Sequence, residues 1–374
     1  MLNETVQSGT SIDALDTPAV VVDLDRLERN VQAMAERARA AGVALRPHVK
    51  SHKTVEIARR QLGAGAAGIT VAKLDEAEAY LDVGVADIFV ANEVAGPTKW
   101  ARAAALQERG SVALGVDSLD AARGLAAAAG TRAVTIPVLI EVDSGLHRAG
   151  LSPTDAVADL AQAIVALDHL DLRGVFTHAG HAYAAHGVDE VRAIARAEAG
   201  DASLAAELIR ARRIPCPVVS IGSTPTICAA GVQPGVTEIR PGNYVFFDRM
   251  QVALGAATPD QCALSVLATV ISRPAADRLV VDAGSKTFAL DRGAHGLEAL
   301  AGFGEDAEHG LVLSRLSEEH GVLQADGTSV AVGDRLRFSV NHACTVANLA
   351  ATLIGVRADR VAEVMPVLVR GGGR

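Results

Sequence analysis

Through the first two thirds of the chain, short unbroken apolar runs alternate with longer Ala-rich segments of helical period. The runs at 19–24, 43–45, 68–71, 87–91, 112–116, 135–142, 172–178, 218–222 and 237–240 have the length and β-branched content of strands buried on both faces. Between most of them lie segments such as 55–62, 73–83, 98–109, 118–129, 155–167 and 188–213, whose apolar residues recur at the spacing of one helix face. Asp25 is the expected cap of a helix running to about Ala41. From Val43 onward this makes about eight strands with helices between them, which predicts an α/β fold, a (β/α)8 TIM-type barrel. A doubly wound open sheet is the competitor. It is disfavoured by the regular crossover spacing and by the lack of a Gly-x-Gly-x-x-Gly after the first strand.

Beyond about residue 255 the pattern changes. Pieces at 264–271, 279–282, 310–313, 334–341 and 361–369 read as strands joined by Gly, Pro and Asp turns, which predicts a mostly antiparallel β domain. The expected division is a barrel over 17–254 and a β domain over 255–374 that residues 1–24 join, with the boundary between Asp248 and Gln261. Residues 1 to about 16 read as a loose leader and 371–373 as a frayed tail. A length of 374 residues exceeds one ordinary domain and agrees with two.

The composition narrows the class. The chain is 49% hydrophobic but only 3% aromatic, so its cores are mostly Ala, Val and Leu, which suits parallel strands under close-packed helices. A net charge of −9 argues against a nucleic-acid partner. No stretch reaches the length of an apolar membrane span, and the start lacks the layout of a signal peptide. Cys216, Cys228, Cys262 and Cys344 have no framework spacing, as expected of reduced thiols in a cytoplasmic protein.

The functional face of a parallel barrel lies at the strand C-termini. After the first strand comes Arg46-Pro47-His48-Val49-Lys50-Ser51-His52-Lys53. Read as an extended strand, it puts Arg46, His48 and Lys50 on one face, which is costly to bury unless an anion sits among them. A solvated edge strand is the alternative. Arg148 follows the strand at 135–142; His178 and Tyr183 follow the one at 172–178. The seventh and eighth strands end in Gly222-Ser223-Thr224-Pro225-Thr226 and Gly242-Asn243-Tyr244, whose glycines and hydroxyls suit a phosphate, although such clusters also serve as plain turns. An inward lysine together with a phosphate cradle points to pyridoxal 5′-phosphate, with Lys50 as the amine that links to it and Arg148 at the pyridine nitrogen. Candidate cofactor contacts are therefore Lys50, His48, Arg148, His178, Tyr183, Ser223, Thr224, Gly242, Asn243 and Tyr244. Lys53 reads as a solvated lysine at a helix start.

A second cluster lies in the β domain. The strand period from Leu336 onward places His342 and Cys344 on one face, where they can grip one divalent ion. The N/S pair favours zinc, with manganese and magnesium also considered, and two ligands leave positions for water or substrate. A buried thiol beside a core histidine is the alternative.

These segments, together with Gly68-Ile69-Thr70-Val71, Thr177-His178, Val281-Asp282-Ala283-Gly284, Glu308-His309-Gly310 and Asn341-His342-Ala343-Cys344, resemble the fold-type III pyridoxal phosphate enzymes, and within them the D-threonine aldolase and D-serine dehydratase group. The resemblance runs from about Thr17 to the last strands. It implies an alanine racemase-like barrel plus a β domain, Lys50 as the cofactor lysine, a metal held by His342 and Cys344, and a homodimer in which each site is roofed by the other copy. It also implies a lyase for D-β-hydroxy-α-amino acids. Retro-aldol cleavage to glycine and an aldehyde is favoured by the segments around 220–226 and 238–248. The alternative is elimination by a D-serine or D-threo-3-hydroxyaspartate dehydratase; a racemase or a non-catalytic cofactor-binding protein is further off. Some aldolases of this group carry aspartate where this chain has Cys344, whereas the His-x-Cys pair looks like the dehydratases and like other members called D-threonine aldolases.

Overall fold

The structure, a computed structural model, describes residues 6–294 and 300–370. The tail at 371–373 and the first five residues of the expected leader lie outside the described residues. Among the described residues, nine strands precede residue 255: β1 (Ala19–Asp23), β2 (Ala44–Leu45), β3 (Ile69–Val71), β4 (Asp87–Glu93), β5 (Ser111–Val116), β6 (Ile136–Val142), β7 (Leu170–Thr177), β8 (Val218–Ile221) and β9 (Glu238–Ile239). The strands β2 to β9 form an eight-stranded parallel sheet ordered β2-β9-β8-β7-β6-β5-β4-β3. It closes on itself through a parallel bridge between His48 and Thr70, so the architecture is a (β/α)8 barrel. Alanine-rich helices such as Leu119–Gly130 and Val188–Ala211 cover the outside, their small side chains letting backbones approach the strands. Inside, Phe89 and Phe176 meet edge to face with centroids 5.0 Å apart.

The remaining strands are β10 (Leu264–Ala275), β11 (Arg278–Val281), β12 (Gly304–Asp306), β13 (Leu311–Leu316), β14 (Gly321–Gln324), β15 (Arg335–Val340), β16 (Thr352–Arg357) and β17 (Arg360–Pro366). Six of them, in the order β10-β11-β14-β13-β12-β15 and back to β10, make a closed antiparallel barrel. The N-terminal strand β1 lies between β10 and β16, antiparallel to the first and parallel to the second.

Two sequence expectations change here. The helix Leu24–Ala41 follows β1 without a loop, so Asp23 caps it by accepting from the N–H of Arg26, and Asp25 falls in its first turn. The leader is not loose over its second half: Ile12 and Leu15 are buried, and the N–H of Gly9 donates to the carbonyl of Val361 at 2.7 Å. An extended segment beside an open strand edge gains backbone hydrogen bonds by docking there.

The β domain also packs against the turn that follows β2. Asn348, in the short helix Ala343–Leu349, donates to the carbonyl of Lys50 at 2.9 Å, and the N–H of Leu368 donates to that of Lys53 at 2.7 Å.

Candidate active site

A cavity of about 560 Å³ opens at the C-terminal ends of the barrel strands, with the segment around the helix Ala343–Leu349 as one wall. Lys50, His48, Arg148, His178, Tyr183, Ser223, Thr224, Gly242 and Asn243 line it from the barrel, and His342 and Cys344 from the β domain. Eleven of the twelve sequence candidates thus share one cavity, and Tyr244 is not among its lining residues.

Lys50 reaches the cavity by a route the strand period does not describe. Strand β2 ends at Leu45, and Val49–Ser51 form a single 3-10 turn, so alternation stops before the lysine. Arg46 consequently turns away from His48 and Lys50. Its guanidinium binds Glu238 at 2.8 Å and Asp87 at 2.6 Å, and it does not line the cavity. Lys50 and His48 are half-buried, but what they expose faces the cavity rather than bulk water. Desolvation therefore lowers the Lys50 amine from its ordinary value, with the charges of Arg148 and Arg240 adding to the shift and that of Cys344 opposing it. A neutral lysine amine is the form that attacks an aldehyde or accepts a proton. His48 and His178 are lowered well below the ordinary imidazole value, by burial first and then by the charge of Lys50.

The solvated role expected for Lys53 is overturned. It lines the cavity, 12% exposed, with Nζ 3.3 Å from the Glu76 carboxylate. Glu76 also accepts from the N–H of Ala72 at 2.9 Å, tying the loop after β3 to the lysine turn.

The phosphate-like loops converge. A Cβ on Gly222 would stand 2.8 Å from the Arg240 nitrogen, and one on Gly242 would stand 2.9 Å from the His48 carbonyl, so glycine is required at both close approaches. Ser223 caps the helix Thr224–Ala230 by accepting from the N–H of Thr226. Among the described residues, the backbone N–H groups of Ser223, Gly242 and Asn243 donate to no carbonyl or side chain, leaving three donors at the cavity wall, while that of Thr224 donates to the Tyr183 hydroxyl. His178 lies beside this cradle, its Nδ1 2.7 Å from the Gly222 carbonyl, which makes Nδ1 the protonated nitrogen. The Tyr244 ring points into the core instead. It is fully buried, its hydroxyl accepts from Gln61 Nε2 at 3.0 Å, and its N–H donates to Thr224 Oγ1.

Two arginines line the other side of the cavity. Arg148 is half exposed and 3.4 Å from Glu141. Arg240, absent from the sequence candidates, is 4% exposed, donates to the Thr177 carbonyl at 2.6 Å and lies over the rings of Phe89 and Phe176. Beneath them Glu141 is pushed up to about 8 by burial and by its hydrogen bond with Glu93, against the pull of the arginines.

His342 and Cys344 do not continue a strand. Strand β15 stops at Val340, His342 stands at the N-terminal boundary of the next helix, and Cys344 lies in that helix's first turn. Both still face the cavity because the turn, not the pleat, aims them. His342 Nδ1 is 2.7 Å from Asp291, leaving Nε2 for a ligand. Burial pulls the imidazole down, but hydrogen bonds with Asp291 and Cys344 outweigh it and raise it to about 11. The thiol moves oppositely: burial pushes it up, and the hydrogen bond and charge of His342 more than compensate, so it is lowered. A thiol lowered in this way gives up its proton to a metal ion more readily. Among the described residues no group of three His, Cys, Asp or Glu forms a closed metal cage, so an ion held by this pair would keep open positions.

Besides Arg240, sequence reading missed Lys53, Glu76, Asn92 and Asn348 as lining residues. A signal existed for Arg240: Glu238 and Arg240 alternate about Ile239 at the end of a barrel strand, so they share its inner face.

Residues 22–250 match the alanine racemase N-terminal domain family, and residues 263–356 match the putative serine dehydratase domain family. The D-threo-3-hydroxyaspartate dehydratase of Delftia sp. (strain HT23) is 42% identical over 88% of this chain and 91% of its own. The D-threonine aldolase of Arthrobacter sp. is 34% identical over 98% and 96%. The crystal structure of the D-threonine aldolase from Filomicrobium marinum superposes with a TM-score of 0.91 at 32% identity, covering 98% of this chain and 99% of that one. The chain belongs to the D-threonine aldolase and D-serine dehydratase family, fold-type III pyridoxal phosphate enzymes in which an alanine racemase-type barrel is joined to a serine dehydratase β domain.

Proposed function

We propose that this protein is a lyase that uses pyridoxal phosphate and a divalent metal ion to eliminate the hydroxyl group of D-β-hydroxy-α-amino acids, giving a 2-oxo acid and ammonia. The observation that carries the proposal is the meeting, in one cavity, of the Lys50 amine from the barrel with the His342–Cys344 pair from the β domain. The residues present fit both groups. Lys50 would hold the cofactor aldehyde, the three undonated N–H groups at Ser223, Gly242 and Asn243 its phosphate, and Arg148 its ring nitrogen. His342 Nε2 and the Cys344 sulfur would hold the metal. Bound there, the cofactor supplies an electron sink for the bonds of Cα, and the ion supplies a Lewis acid for the β-hydroxyl.

The chain's own groups do the rest. Lys50, whose amine burial makes easier to deprotonate, is the base for the α-proton. Asp291 orients His342, and Asn348 holds the backbone of Lys50 in place.

Elimination is supported by the 42% identity to a relative named as a dehydratase. Retro-aldol cleavage to glycine and an aldehyde, expected from the barrel segments, is the second reading, supported by relatives named D-threonine aldolase. Incubation with D-threonine, D-serine and D-threo-3-hydroxyaspartate, with and without chelator, separates them by product. A 2-oxo acid with ammonia is expected; glycine with an aldehyde would select the second reading; no turnover of any of these overturns both. In Lys50→Ala, the absorbance of lysine-bound cofactor should vanish while circular dichroism stays unchanged, and a persisting band would remove Lys50 from its role.

A further inference from the structure

Asn243 lines the cavity in the loop that follows β9, among the groups that suit a phosphate, yet its side chain is engaged elsewhere. Its Nδ2 donates to Asp248 Oδ2 at 2.6 Å and to Cys344 Sγ at 3.5 Å. The amide orientation follows from the partner. Both oxygens of Asp248 already accept backbone N–H groups, from Ala343 at 2.9 Å and Gln251 at 3.0 Å, so the group facing them is the NH2 and not the oxygen. Both amide hydrogens are thereby committed, and Oδ1, buried without a partner, can only accept. Such a side chain offers a phosphate no donor. Only the backbone N–H of Asn243 can serve the cofactor.

We propose that Asn243 is a positioning residue for the metal ligand Cys344: clamped by Asp248, it donates a hydrogen bond to the thiolate and so sets the sulfur's place and its electron density. The geometry supports this on three counts. Asn243 and Asp248 are 3% and 1% exposed, so the contact is made in a medium where a charge-assisted hydrogen bond is strong. Asp248 grips the Asn243 side chain and the N–H of Ala343, the residue between the two metal ligands, with the same oxygen, so the donor and the ligand segment cannot shift independently. Asn243 is one of three side chains that hydrogen-bond the sulfur, with Ser51 and His342, and it is the one whose other amide hydrogen is held by Asp248. A hydrogen bond to a thiolate draws charge off sulfur, and outer groups of this kind typically change metal affinity 10–100-fold.

The inference rests on the metal site proposed above, and cobalt(II) reports on both separately. With cobalt in place of the native ion, wild type should show a sulfur-to-cobalt charge-transfer band. In Asn243→Ala, which lacks the donor, the band should move to longer wavelength. Cobalt affinity, measured by competition with a chromophoric chelator, should change about tenfold or more, while pyridoxal phosphate affinity changes less than about twofold. Asn243→Ser, too short to reach the sulfur, should behave alike and provides the test if the alanine variant does not fold. An unshifted band with weakened cofactor binding would overturn the role and return Asn243 to the phosphate. Absence of the band in wild type would instead overturn the metal site itself.

Discussion

Replacing Tyr244 by Phe tests whether this residue serves the cofactor or the core. The structure puts its hydroxyl at the end of a buried chain: the Thr54 N–H donates to His52 Nδ1 at 3.0 Å, His52 Nε2 meets Gln61 Oε1 at 3.2 Å, and Gln61 Nε2 donates to the phenol at 3.0 Å. Gln61, His52 and Tyr244 are all 0% exposed, so no water replaces the lost oxygen. Stranding one Gln61 hydrogen should cost about 1–3 kcal/mol. An unfolding entropy of roughly 2.1 cal/mol/K per residue amounts to about 0.8 kcal/mol/K over the 374 residues, so Tm should fall by about 1–4 °C. Pyridoxal phosphate titrated into the apoprotein, followed by absorbance, should give the wild-type affinity, because the ring does not line the cavity and Thr224 Oγ1 meets only the Tyr244 backbone N–H. A tenfold loss of cofactor affinity with unchanged Tm would refute this reasoning.

Two further outcomes are expected. Glu141 sits at about 8 in the folded protein against an ordinary 4.5, so between those pH values the native state holds a proton that the unfolded chain has released. Apoprotein stability should therefore fall by a few kcal/mol, on the order of 1.4 kcal/mol per pH unit, as pH rises from about 5 to about 8, and then level off. Glu141→Gln should lose that slope and be the more stable form at pH 8; parallel urea-unfolding curves for the two proteins at both pH values would contradict it. Lys53→Met leaves the Glu76 carboxylate, 3% exposed, without its cation and should destabilise by about 3 kcal/mol, most of it recovered by adding Glu76→Gln. A single variant as stable as wild type in urea would show the pair to be dispensable.

The alternation of β-branched runs with Ala-rich helical segments was enough to determine the barrel, because burial on both faces of a parallel strand leaves a continuous apolar mark that depends on no distant contact. The change of period near residue 255 determined the β domain in the same way. Strand ends in such a barrel converge by construction, so Lys50, Arg148, His178 and the two glycine loops could be placed at one mouth from order alone. Facing is another matter. It is local only while a strand lasts, and the barrel strand before Lys50 lasts two residues. Past it, the 3-10 turn, the pull of Glu238 and Asp87 on Arg46, and that of Glu76 on Lys53 decided which side chains look inward. Only the tertiary structure could send the Tyr244 ring to Gln61, the Asn243 amide to Cys344, and Arg240 over two phenylalanines, since each choice depends on partners far away in the chain. A buried polar group takes the orientation that satisfies its hydrogen bonds, and the neighbours that satisfy them exist only once the chain has folded.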